Sequence, residues 1–166
     1  SLGIAGASVG ANLAVLDLCL WDIIGKAKGE PVYRLLGGPT RDRVRAYAGM
    51  LGFSTQPERA AERSVQFVEQ GFTALKWYLP FNERAGKDGL RRNVALVKAV
   101  REAVGPDIDI MVDCHARPSP AMGLKFGKAL EPYNLYFFEE PCWPESIEGL
   151  AMINAAKPSS FAVQPL

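Results

Sequence analysis

The sequence predicts an α/β fold, a partial (β/α)8 TIM barrel of four or five parallel strands preceded by helices. Three observations carry this reading. From about residue 43 onward, strand-like and helix-like segments alternate four times before a fifth strand begins near the C-terminus. Strict alternation with long helices means a parallel sheet built from βαβ units. A doubly wound sheet meets the same pattern, but no glycine-rich turn follows the first strand. The third observation is that polar residues fall at the C-terminal ends of the strand segments, where parallel barrels build their sites.

The elements follow in order. Ala11 to about Gly29 has a helical pattern, apolar nearly all round, and "EPVYRLLGG" gives a short second helix that opens at Pro31 and stops at Gly37 and Gly38. "RVRAYA" (43–48) alternates as a strand does. "STQPERAAERSVQFVEQG" is a capped helix, with Ser54 or Thr55 ahead of Pro57 and Gly71 as its stop. "FTALKWYL" (72–79) is the next strand, and Leu90, Val94, Val97, Arg101 and Val104 mark one face of the helix that follows. "DIDIMVDC" is a strand, residues 120–130 a helix, "LYFFEEP" (135–141) a strand, "PESIEGLAMINAAK" the last helix, and "SFAVQ" opens a further strand.

Composition narrows the function class. With 48% hydrophobic residues the chain buries a real core. Nineteen basic and 18 acidic residues, scattered along it, form neither a nucleic-acid footprint nor a polybasic membrane anchor. The apolar N-terminal stretch imitates a signal peptide but lacks a basic leader, and Asn12, Asp17 and Asp22 interrupt it too often for a spanning helix. It reads instead as a helix sandwiched between two layers of protein, with Ser1 and Leu2 given no role. Cys19, Cys114 and Cys142 are distant and odd in number, which fits buried, inert, reduced thiols of a cytoplasmic protein.

The strand ends carry the chemistry. Alternate side chains of a strand share a face, so Lys76 pairs with Tyr78, Asp113 with His115, and Glu139 with Phe137. Asp113 and Glu139 end successive strands, and two carboxylates at one height repel unless a cation stands between them. Hard oxygen ligands with room for water and substrate suit Mg2+. The plainer alternative pairs Asp113 with Arg117 and leaves Glu139 or Glu140 solvated. Lys76, among apolar neighbours, either snorkels to the surface or faces a substrate carboxylate whose enediolate needs positive charge. His115, the only histidine, is a structural residue or, beside a metal ligand, an acid or base. Arg117 either holds a distal substrate hydroxyl or braces its loop.

These residues carry a resemblance. Nearly the whole chain resembles the enolase superfamily, in its mandelate racemase and muconate lactonizing enzyme group. "NLAVLDLCLWDIIGKAKGEPVYRLLGG" is similar to the helical end of that family's capping domain, which assigns residues 1–40 there and 41–166 to the N-terminal half of the barrel. "GFTALKWYL", "IMVDCH" and "YFFEEP" resemble its second, third and fourth barrel strands. The resemblance implies abstraction of the proton α to a carboxylate, with Mg2+ held by Asp113 and Glu139 and with Lys76 as the first lysine of a Lys-x-Lys pair.

Two departures refine this. Tyr78 stands where the second lysine would, and tyrosine, titrating near pH ~10, is a poor base at neutral pH. "DCHARPSP" is similar instead to the Asp-x-His-x-Arg segment of acid-sugar dehydratases of the galactonate dehydratase kind, in which the histidine helps the β-hydroxyl leave. In addition, no acid stands at about Pro165, where the third ligand belongs, and the later strands with their base have no counterpart. The expectation is the middle of a longer Mg2+-dependent acid-sugar dehydratase that takes a small carboxylate substrate. Its rivals are a racemase, epimerase or cycloisomerase of the same superfamily, and a non-catalytic half-barrel. The chain alone is expected to be inactive and to form a homo-oligomer through its open sheet edge.

Overall fold

The computed structural model describes residues 2–156 and 162–164. The chain divides into two compact units, Ser1–Arg45 and Ala46–Leu166. In the first, helix α1 (Leu2–Lys28) starts well before Ala11 and is followed by the short α2 (Val32–Leu35). Every residue of α1 from Leu13 to Leu20 is exposed. The expected sandwich is therefore not formed by this unit, which has only α2 to offer as a second layer. Cys19 shares that exposure, contrary to the expectation of a buried thiol, whereas Cys114 and Cys142 are buried.

The second unit alternates strictly: β1 (Ala48–Gly49), α3 (Pro57–Glu69), β2 (Ala74–Tyr78), α4 (Gly86–Val104), β3 (Asp109–Asp113), α5 (Pro120–Leu130), β4 (Phe137–Glu139), α6 (Ile147–Ala156) and β5 (Ala162–Gln164). The five strands form one parallel sheet in sequence order. Ser160 and Phe161, expected to open the last strand, lie outside the described residues, as do Pro165 and Leu166.

One face of this sheet packs on helices. Leu75, Trp77, Ile110, Val112 and Phe138 are almost fully buried against Ala60 of α3, Leu96, Val97 and Val100 of α4, and Phe126 and Leu130 of α5. The buried stripe of α4 runs through Gly89, Asn93, Leu96, Val97 and Val100, the predicted Leu90, Val94 and Val104 pack partly buried against the same core, and Arg101 lies beside them. That arginine donates to the carbonyls of Gly105, Ile108, Tyr133 and Asn134, tying the end of α4 to the start of β3. Asn93 is buried because its side-chain amide meets both main-chain groups of Phe81, accepting from the N–H at 3.3 Å and donating to the carbonyl at 2.8 Å. Trp77 satisfies its indole N–H on the Ser64 hydroxyl at 3.1 Å.

The opposite face is narrow in its apolar content. Ala74, Met111 and Phe137 form a small buried cluster of their own. Above it, toward the C-terminal ends of the strands, stand the charged groups. Helix α5 is drawn close to the end of β4 by Gly123, where a Cβ would come within 2.3 Å of the Pro141 carbonyl.

Candidate active site

Parallel register sets the heights of the site residues. Tyr78, Asp113, Glu139 and Gln164 are register partners across four adjacent strands, while Lys76 lies one row lower beside Met111 and Phe137. The long lysine side chain spans the difference. Its ammonium lies 3.1 Å from Asp113 Oδ2 and 2.6 Å from Glu139 Oε2, with all three side chains about four-fifths buried or more. Burial by itself disfavours the charged lysine, but the hydrogen bonds it donates to Glu139 and Asp113, with their negative charges, overcome it and raise its pKa above the ordinary lysine value. The two carboxylates therefore converge on one cation, and that cation is the protein's own. Asp113 is bonded to Lys76 rather than to Arg117.

His115 reaches this group by a different route from the one strand alternation suggests. The strand ends at Asp113, and His115 and Ala116 turn into the left-handed region with φ of 53° and 52°. Such conformations cost non-glycine residues about 1–3 kcal/mol each and cluster at functional sites. Hydrogen bonds hold the turn in place. The His115 N–H donates to Asp113 Oδ1 at 2.7 Å, the Cys114 N–H to the Glu139 carbonyl at 3.0 Å, and the Ala116 N–H to the Glu140 carbonyl at 3.1 Å. The imidazole ends with Nε2 3.7 Å from Asp113 Oδ2 and its ring edge-on to Tyr78, centroids 5.9 Å apart. Its Nδ1 is buried without a hydrogen-bond partner.

The remaining site residues are held by main-chain groups. Tyr78 places its hydroxyl 3.4 Å from the Phe53 carbonyl, in the loop after β1. Arg117, largely exposed, donates from Nη2 to the Leu79 carbonyl at 2.7 Å and from Nε to the Cys114 carbonyl at 3.4 Å. Glu140, also left-handed at φ 48°, has its pKa raised by burial and by the neighbouring Asp113 and Glu139 charges, against the opposing influence of His115 and Lys76.

His115 lines two cavities. A small one of about 150 Å³ opens beside Lys76, Tyr78 and Asp113, and a cleft of about 820 Å³ runs past Asn82, Arg84, Trp143 and Ser146. Three supporting residues are invisible to strand-end reasoning. Glu83 accepts from the Ser119 N–H at 3.1 Å, Ser119 caps α5 by accepting from the Met122 N–H, and Asn93 fixes the loop after β2. Serine directly before a proline at the first helical position is the one sequence signal that points to the cap.

Asp113 and Glu139 offer hard, anionic oxygens aimed at a point where a cation already stands, a donor set that suits Mg2+. Among the described residues no group of three or more acids, histidines or cysteines gathers to hold a metal, and the strand-five member of the row is Gln164. Nor is any helix among them long and apolar enough to cross a membrane.

Fold and site together define a parallel β/α sheet with a carboxylate-rich mouth at its strand ends. Comparison with known proteins supplies the family. Residues 59–163 match the enolase C-terminal domain-like family, and the chain belongs to it. It is 39% identical over 142 residues to the D-gluconate/D-galactonate dehydratase of Picrophilus torridus, covering 83% of this chain and 36% of that protein. A solved member of the enolase superfamily from Salmonella Typhimurium superposes with a TM-score of 0.78 at 30% identity, over 89% of this chain and 43% of that one. An enolase of the mandelate racemase subgroup from Agrobacterium tumefaciens gives 0.73 at 31% identity, over 89% and 40%. The chain spans about a third of the length of the curated relatives it matches. Its sheet is a partial TIM barrel of the enolase type.

Proposed function

We propose that this chain carries one half of the active site of an Mg2+-dependent acid-sugar dehydratase. The observation that carries the reading is the convergence of Asp113 and Glu139 on one cation with His115 strapped beside them. Asp113 and Glu139 would hold the metal, which when bound supplies positive charge for the oxygens of a substrate carboxylate. Lys76 adds its own charge at the same oxygens and favours the enediolate formed when the α-proton leaves. The base that takes that proton is none of these residues. His115 gives a proton to the β-hydroxyl as its C–O bond breaks, so that water departs and the enol of a keto acid remains. Tyr78, with its hydroxyl on a main-chain carbonyl, flanks the imidazole rather than acting as a base.

A racemase or cycloisomerase reading draws on the mandelate racemase-subgroup likeness, but it needs a base where Tyr78 stands. The two readings separate in the whole protein incubated with gluconate or galactonate in D2O with Mg2+. His115→Asn is expected to abolish loss of water while exchange at the α-carbon persists, and Asp113→Asn to abolish both. If His115→Asn dehydrates at the wild-type rate, the acid role falls; if the wild-type protein exchanges the α-proton without losing water, the dehydratase reading falls.

A further inference from the structure

We propose that Arg117 is a positioning residue for His115, setting the imidazole through the turn that carries it. This rests on the reading of His115 as the acid, and it gives the turn a function within that reading. His115 and Ala116 are consecutive non-glycine residues in the left-handed region, a conformation such residues leave when nothing holds them. Main-chain bonds from Cys114 and Ala116 fasten the turn to the end of β4, at the Glu139 and Glu140 carbonyls. On the other side the Leu79 N–H donates to the carbonyl of Asp113, the last residue of β3, at 2.9 Å, and Arg117 carries the hydrogen bonds that join the turn itself to the end of β2. Its N–H donates to the Cys114 carbonyl at 3.3 Å, closing the turn, and its guanidinium bridges the same carbonyl and that of Leu79, the residue after β2.

The guanidinium thus adds a second tie between the end of β2 and the segment after β3, one that reaches the imidazole's turn. Tyr78, the ring that meets His115 edge-on, is the neighbour of Leu79. Fixing Leu79 to the turn therefore holds the two rings against each other, on top of the strand register that places Tyr78 beside Asp113. A planar fork with several donors suits two carbonyls at once, and an ammonium does not. The side chain spends two of its donors on the protein itself, which separates this role from that of a substrate clamp.

The chain's single histidine makes the test direct. In protein labelled at histidine and tyrosine, the cross-relaxation peak between the His115 and Tyr78 rings reports their contact without metal or substrate. Arg117→Ala is expected to weaken that peak at least threefold, and Arg117→Lys to restore part of it, while the helical circular dichroism stays at the wild-type level. An undiminished peak in Arg117→Ala overturns the proposal. Should Arg117→Ala fail to fold, the wild-type chain decides. A slowly exchanging Arg117 Nε–H supports the bridge, and one that exchanges as fast as a free guanidinium overturns it. Neither readout involves catalysis, so a failed dehydration assay and a failed positioning claim are told apart.

Discussion

The two faces of strands β2, β3 and β4 are made from the same thirteen residues, yet they do opposite work. On the helix-covered face Leu75, Trp77, Ile110, Val112 and Phe138 are each at most 1% exposed, and their burial supplies the drive to fold. On the other face Lys76, Tyr78 and Glu139 keep partial exposure around a buried Asp113, over a thin apolar floor of Ala74, Met111 and Phe137. Period-two alternation separates stability from chemistry within a single strand. The sheet thereby holds charged groups in fixed register without asking them to stabilise it. If that separation is real, substitutions on the two faces differ in kind as well as in size.

The largest effect belongs to the covered face. Trp77→Ala removes a buried ring and leaves the Ser64 hydroxyl without its donor, and we expect it to destabilise the chain by about 3–5 kcal/mol in a denaturant titration. A loss below about 1 kcal/mol would mean that the helix layer packs without the indole.

On the open face the effect should be smaller and of electrostatic origin. Lys76→Met keeps the bulk but leaves two adjacent carboxylates uncompensated, and about 1.5–3 kcal/mol should be lost at neutral pH. Lys76→Arg, which keeps the charge, should recover part of that loss. No recovery would assign the loss to packing instead, and the comparison of faces would blur.

The smallest expected change sharpens the picture of the turn. Ala116→Gly relieves a left-handed alanine, and a gain of about 0.5–1 kcal/mol is expected from its melting temperature. Destabilisation by the same substitution would show that the alanine methyl packs usefully there.

Much of this architecture was readable from residue patterns. Each strand-end acid stands where the alternation of "IMVDC" and "YFFEE" places it, and helix α5 spans the predicted residues 120–130. Patterns failed where local regularity had no partner to pair with. "RVRAYA" alternates well, yet only Ala48 and Gly49 meet β2, and Val44 is 75% exposed. The cap expected from Ser54 or Thr55 falls to Gln56, with Ser54 reduced to accepting from the Gln56 N–H. His115 was placed by strand alternation that had already ended. A left-handed turn brings it to Asp113 all the same, and its fastenings to Leu79 and Glu140 connect segments far apart in sequence. No spacing rule reaches across such distances.

The ammonium of Lys76 has a consequence for the order in which the site is made. Many metal centres are mutually repelling ligands until the ion arrives, so that ion and fold appear together. Here the repelling pair carries a tethered counterion from the moment β2, β3 and β4 come into register. The acids can be gathered, oriented and partly dried before any ion is present. An ion arriving later would meet carboxylates already gathered and would exchange with a resident charge, so that the protein could be built in one step and loaded in another.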